Sequence, residues 1–254
     1  MVSELLIERQ DGVLVLTMNR PEARNAMTQA LAREIAGALD QLNDDPQLRV
    51  GILTGAAGNF CSGMDLKAFL RGEVPRVEGR GFGGLTQRPP LKPLIAAVEG
   101  YALAGGFEMA LACDLIVASR TASFGLPEVK RGLAATAGGM MRLPRRIPYH
   151  VAMQYVLTGD VMPAQRAREL GLVNELTEPG QALAGALELA GKLQANGPLA
   201  IVAAKRVVSE SRDWPESEMF DRQAAYTRQV FESEDAKEGA RAFAEKRAPV
   251  WKGK

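Results

Sequence analysis

Residues 94–119 read LIAAVEGYALAGGFEMALACDLIVAS, and the fold turns on how this stretch is parsed. Leu94 to Val98 is a short apolar run between Pro93 and Gly100, with the length and composition of a buried strand. Asp114 to Ala118 is a second such run. Between them, Gly105-Gly106 separates a strand end from a short helical segment. Strand, glycine turn, short helix, strand is the pattern of an α/β core.

The same reading extends outward in both directions. At the start, LLIERQDGVLVLTM places two apolar runs around Asp11-Gly12, the signal of a tight hairpin. From Thr28, the spacing of Leu31, Ile35, Leu39 and Leu42 predicts a helix that buries one face. Val50 to Thr54 reads as a buried strand closed by a loop over residues 55–59. Residues 71–93 are rich in Gly, Pro and Arg and read as an exposed excursion, of the kind often functional or mobile. Beyond Gly138-Gly139 the chain turns mostly helical. Ala164 to Leu170 and Gln181 to Leu193 have helical periodicity, with a strand predicted at Leu172 to Leu176 between them. Gly197-Pro198 punctuates the chain, and about Leu199 to Lys246 reads as three helices, with Pro215 suited to a first helical turn. The expected division is an α/β core over 1–196 and a helical segment over 197–254, too thin to form a core of its own.

Composition narrows the function. Lys plus Arg (31) nearly cancels Asp plus Glu (30), so no nucleic-acid or membrane-surface partner is expected. No apolar stretch approaches the roughly 20 residues of a membrane span, and the opening MVSELLIERQ lacks the basic and apolar regions of a leader. Cys61 and Cys113 form no spaced framework, which suggests a reduced, cytoplasmic setting. A single histidine, His150, excludes most Ser-His-Asp, Cys-His and histidine-metal mechanisms unless it carries them alone. It falls at the start of an amphipathic helix and reads as a surface or packing residue. Chemistry is therefore expected from carboxylates.

Three motifs could carry it. Gly105-Gly106-Phe107-Glu108 puts free N–H groups at a helix N-terminus, where they stabilise negative charge, with an acid one turn in. Its plain alternative is a tight packing turn. Phe60 to Leu66 (FCSGMDL) could offer backbone amides to a ligand, or be a turn with Asp65 capping the next helix. Cys61 there reads as a packing residue. In Phe124-Gly-Leu-Pro-Glu128, Pro127 stiffens the backbone that presents Glu128, which could also be a surface acid paired with Lys130 or Arg131.

Taken in order, these motifs closely resemble the enoyl-CoA hydratase (crotonase) family. The resemblance runs from Leu16-Thr-Met-Asn-Arg-Pro21 and Asn25-Ala-Met27 through CSGMDL, GYALAGGFEMALACDLIVAS, FGLPEVKRGL and LTGD (157–160) to FAEKR (243–247). It implies an α/β spiral of β-β-α units whose C-terminal helices form trimers, often paired into hexamers. It also implies a coenzyme A thioester substrate and no metal or separate cofactor. By motif position, the oxyanion hole would come from the amides of Met64 and Gly105. Coenzyme A would lie along Ser62, Gly63, Met64, Asp65 and Leu66, near Ala23 and Ala26, with Lys246 able to reach its phosphates. Glu108 would activate the water that attacks Cβ, and Glu128 would protonate Cα.

Two departures from the family pattern are visible. Ala135-Thr136 stands where many hydratases have Pro-Gly, which keeps a backbone N–H at Thr136 but changes the shape of the loop, and Ala104 stands where a third glycine is common, a change expected to matter less. Residues 81–85 (GFGGL) and the tail 233–253 further resemble the crotonobetainyl-CoA hydratase branch. Isomerisation, hydrolysis, dehalogenation or decarboxylation on the same scaffold, and non-catalytic acyl-CoA binding, are the competing readings.

Overall fold

The computed structural model describes residues 3–254. Part of the leader reading falls on residues 1–2, outside the described residues. The chain opens with β1 (Leu5–Gln10) and β2 (Val13–Met18), antiparallel about Asp11 (φ 46°) and Gly12 (φ 80°). Positive φ at both central residues is the geometry that matches the twist of a two-residue hairpin. Helix α1 (Gln29–Asp44) follows, with Thr28 Oγ1 accepting the Leu31 amide as its N-cap. Leu31, Ile35, Leu39 and Leu42 are fully buried. Each contributes about 1.5–3 kcal/mol, against about 1 kcal/mol for a cap, so packing rather than capping holds α1.

Next come β3 (Val50–Gly55), the short α2 (Leu66–Leu70), the small hairpin β4 (Arg76–Val77) and β5 (Gly81–Phe82), and β6 (Leu94–Val98). Then β7 (Tyr101–Leu103), α3 (Gly105–Ala112), β8 (Leu115–Ser119) and β9 (Ser123–Gly125) complete the α/β pattern expected around residues 94–119. After a 3₁₀ turn at Pro127–Arg131 come α4 (Gly139–Arg142), α5 (Tyr149–Thr158), β10 (Val161–Pro163), α6 (Ala164–Glu169), β11 (Glu175–Thr177) and α7 (Ala182–Gln194). His150 lies exposed in α5, edge-on to Tyr149.

The main sheet has the order β1-β2-β3-β6-β8-β11, parallel from β2 onward. Both faces are covered, so the strands read as continuous apolar runs. Period-2 alternation sends Leu14, Leu16, Leu53, Ala96, Val98 and Ile116 into the larger core with α1 and α3. Val13, Val15, Ile52, Ile95 and Val117 face α7, which meets them through Ala182, Ala186 and Ala190. A smaller sheet, β10-β9-β7, stands beside it and turns the chain toward the site.

Three helices, α8 (Pro198–Glu210), α9 (Met219–Glu232) and α10 (Glu234–Ala244), make up the C-terminal segment, as expected. Lys205 on α8 fastens it to the core: its Nζ donates to Pro90 O, Lys92 O and Asp114 Oδ2. The last residues fold back, with Asp235 accepting the Lys252 and Gly253 amides.

Two expectations need correction. Residues 71–93 are not one exposed excursion, because residues 80–86 are buried. Glycines allow it: a β-carbon at Gly83 would fall 2.2 Å from Met109 Sδ, and one at Gly84 2.3 Å from Ala32 O. The strand predicted at Leu172 to Leu176 pairs only from Glu175, because Leu172 and Val173 turn into the core instead.

Candidate active site

The Gly105-Gly106 turn is built by close packing. A β-carbon at Gly106 would lie 2.2 Å from Cys61 O, and one at Gly105 would lie 2.3 Å from the Phe82 ring. Ala104 takes φ 51°, ψ −128°, a conformation that glycine tolerates and alanine does not without strain. Ala104 therefore replaces the third glycine at the cost of local backbone strain.

The FCSGMDL segment is drawn to the same place. Cys61 and Met64 form isolated parallel bridges to Ala102 and Met27, and the Met27 amide donates to Gly63 O at 2.8 Å. A β-carbon at Gly63 would lie 2.9 Å from Ala104 Cβ and 3.5 Å from Gly105 N. The Gly63-Met64 step thus abuts the first turn of α3. Among the described residues, neither the Met64 amide nor the Gly105 amide finds an acceptor. Two unpaired donors on adjoining strands of backbone can hold one developing oxyanion.

Ser62, Ala23 and Ala26 adjoin them: Ser62 Oγ donates to Ala23 O at 3.2 Å, and Arg20 Nη1 donates to Ala26 O. Asp65 caps α2 through the Lys67 and Ala68 amides and pairs with Arg20 Nη2 at 2.9 Å. Leu66 begins α2 half exposed. Lys246 stands exposed beyond α10, and among the described residues no hydrogen bond or ion pair ties its side chain to this cluster. Cys61 is fully buried, and desolvation pushes its thiol up to about 12, so it is a packing residue.

Glu108 lies one turn into α3 and is 3% exposed. Its Oε1 accepts the Ala137 amide at 2.7 Å and the Gly139 amide at 2.9 Å. Oε2 has no partner among the described residues and stays available. Burial raises the pKa of this carboxyl above the ordinary range, opposed by those two amides and by the charges of Arg142 and Arg76. The donors lie beyond the Ala135-Thr136 departure, and Thr136 needs no positive φ, so the cradle survives the lost Pro-Gly. Sequence reasoning missed the Ala137 and Gly139 amides. The Gly138-Gly139 pair was the available signal.

Glu128 projects from the 3₁₀ turn that Pro127 opens. It forms no ion pair among the described residues, since Lys130 pairs with Asp160 instead. Its Oε2 is buried without a partner. Desolvation, with the charge of Glu108 adding to it, pushes its carboxyl up to about 7, against the opposing pull of its own amide and of Arg131. Glu108 ionises first, and Glu128 carries the repulsion. Among the described residues, no cluster of His, Cys, Asp and Glu is arranged to hold a metal ion, and no helix is long and apolar enough to cross a membrane.

A sheet that is parallel from β2 onward, a glycine turn with unpaired amides and two carboxyls of raised pKa place the chain among α/β proteins. Known proteins identify it more closely. The profile of the family described as enoyl-CoA hydratase/isomerase matches residues 8–254, and the chain belongs to that family, with its crotonase-type fold. Enoyl-CoA hydratase EchA19 of Mycobacterium tuberculosis is 45% identical, over 97% of this chain and 95% of its own. Carnitinyl-CoA dehydratase of Escherichia coli (strain K12) is 42% identical over the whole of both chains. The crystal structure of an enoyl-CoA hydratase from Mycobacterium tuberculosis H37Rv superposes with a TM-score of 0.97 at 61% identity, over 99% of each chain.

Proposed function

We propose that this chain is an enoyl-CoA hydratase, reversibly adding water across the double bond of a 2-enoyl-CoA thioester. The observation that carries this reading is the pair of carboxyls with unequal environments. Glu108 is anchored by one oxygen and, ionised first, serves as the base that activates water toward Cβ. Glu128, held protonated to about 7, supplies the proton to Cα. The Met64 and Gly105 amides would receive the thioester oxygen as the enolate forms, and Ala23, Ala26 and Ser62 to Leu66 would lie along the coenzyme A moiety. Lys246 would reach its phosphates, and the exposed position of that side chain is compatible with this role. The chemistry draws on these groups of the chain alone, with coenzyme A as part of the substrate.

Besides one another, the charged side chains acting on the two glutamates are Arg76, Arg131 and Arg142, all cationic. Residues 197–254 would serve oligomerisation, as a homotrimer or hexamer, and cover the acyl-CoA site. Phe220, Phe231 and Phe243, all strongly exposed on α9 and α10, support this assignment. The two free, buried cysteines suit a reduced, cytoplasmic setting.

The test is loss of enoyl absorbance with crotonyl-CoA and crotonobetainyl-CoA, using the wild type, Glu108→Gln and Glu128→Gln. Each substitution should lower turnover by about 100-fold or more. Near-normal turnover in either variant removes that residue from its role. Conversion without water addition would point to isomerisation, and tight acyl-CoA binding with no turnover would point to a binding protein.

A further inference from the structure

Arg142 sits at the end of α4, where it ties two loops together. Its Nη2 donates to Thr86 O at 2.6 Å, and Nη1 makes a longer contact with Ala137 O at 3.4 Å. The guanidinium passes under Gly138, where φ is 107° and a β-carbon would fall 2.1 Å from Nη1. These loops carry different parts of the site. The one ending at Thr86 holds Phe82 against Gly105, and the one through Ala137 supplies both amides that fix Glu108 Oε1. A guanidinium is a rigid, charged fork, so one side chain can set both a spacing and a field.

The charges around this point come from several elements. Glu108 faces Arg142 from α4, Arg76 from β4 and Glu128 from the 3₁₀ turn. Arg142 in turn faces Glu108, Cys113 at the end of α3, and Arg145. Among the described residues Arg142 forms no carboxylate ion pair, and its hydrogen bonds go to the backbone carbonyls of Thr86 and Ala137.

We infer that Arg142 is a positioning residue: it clamps residues 135–139 so that the Ala137 and Gly139 amides hold Glu108, and it presents a positive charge to the same carboxylate. This rests on the reading of Glu108 as the base. The test compares wild type, Arg142→Met and Arg142→Lys on crotonyl-CoA across pH, separating kcat from KM. Arg142→Met should lower kcat about 10-fold or more, the scale of a small misplacement of a reacting group, with KM changed far less. The acidic limb of its kcat profile should move to higher pH, because a cation that favoured the Glu108 carboxylate is gone. Arg142→Lys keeps the charge but loses the fork, so kcat should stay low while the limb returns toward the wild-type position. Wild-type kcat in Arg142→Met, or a lower kcat with its acidic limb unmoved, overturns the inference. If the Met variant does not fold, unchanged kcat in Arg142→Lys overturns it equally. A wild type that hydrates no enoyl-CoA would sink the hydratase reading instead.

Discussion

The Gly139 amide donates to Glu108 Oε1 at 2.9 Å, and Gly139 also leaves the acid the room it occupies. A β-carbon there would lie 3.0 Å from Glu108 Cγ and 3.0 Å from each Leu126 methyl. Those contacts are tight enough to displace the carboxylate stem by a few tenths of an ångström without preventing folding. Gly139→Ala should therefore give a folded protein whose kcat on crotonyl-CoA falls about 10-fold, since reacting groups tolerate little displacement. Circular dichroism with steady-state kinetics checks both halves, and an unchanged kcat would mean that the position of Glu108 is not critical.

The pH profile follows from the two carboxyls. Glu108 must be ionised to act as base, and Glu128 must be protonated to act as acid. Hydration should decline as pH rises through about 7, where Glu128 loses its proton, and decline again at low pH as Glu108 gains one. In Glu128→Gln the residual activity should lack the alkaline limb. A profile flat from pH 6 to 9 in the wild type would contradict the assignment of Glu128.

Stability carries the same signature. In the unfolded chain Glu128 titrates near 4.5, but in the folded chain at about 7. Between those values the folded state holds a proton the unfolded state has released. Its contribution to stability is therefore complete below about 4.5 and is lost as pH rises through about 7. Glu128→Gln is neutral throughout, so its melting temperature relative to wild type should be higher at pH 8 than at pH 5. Thermal melts at the two values suffice, and a constant difference would mean that the buried, unpartnered Oε2 is in fact well solvated.

What the sequence made legible was whatever side chains carry. The hairpin showed in its Asp11-Gly12 turn, α1 in the period of its buried face, and β2, β3, β6 and β8 in apolar runs covered on both faces. The two acids and the Gly105-Gly106 turn stood out only through their resemblance, in order and spacing, to the signature of a family. Residues 80–86 misled because Gly83 and Gly84 bury backbone, and buried backbone has no hydrophobic signature. The Ala137 and Gly139 amides are main-chain donors that any residue but proline supplies. Arg142 looked like any cation in the last turn of a helix, and only the fold brings Thr86 O to its fork.

Ala104 offers a test in which side-chain chemistry hardly enters. Its amide donates to Gly125 O at 2.8 Å and its carbonyl accepts the Glu108 amide at 3.0 Å, so neighbours on both sides fix its dihedrals at φ 51°, ψ −128°. Such a conformation costs a residue with a β-carbon about 1–3 kcal/mol, whereas introducing glycine forfeits about 0.5–1 kcal/mol through unfolded-chain entropy. Relief of strain outweighs the entropy loss. Ala104→Gly should therefore stabilise the chain by about 1 kcal/mol, a rise of about 2–4 °C in Tm for a chain of this size. Calorimetry measures it directly. A Tm that falls would mean the turn is not strained at Ala104, and that the first turn of α3 reaches its geometry at no cost from an alanine.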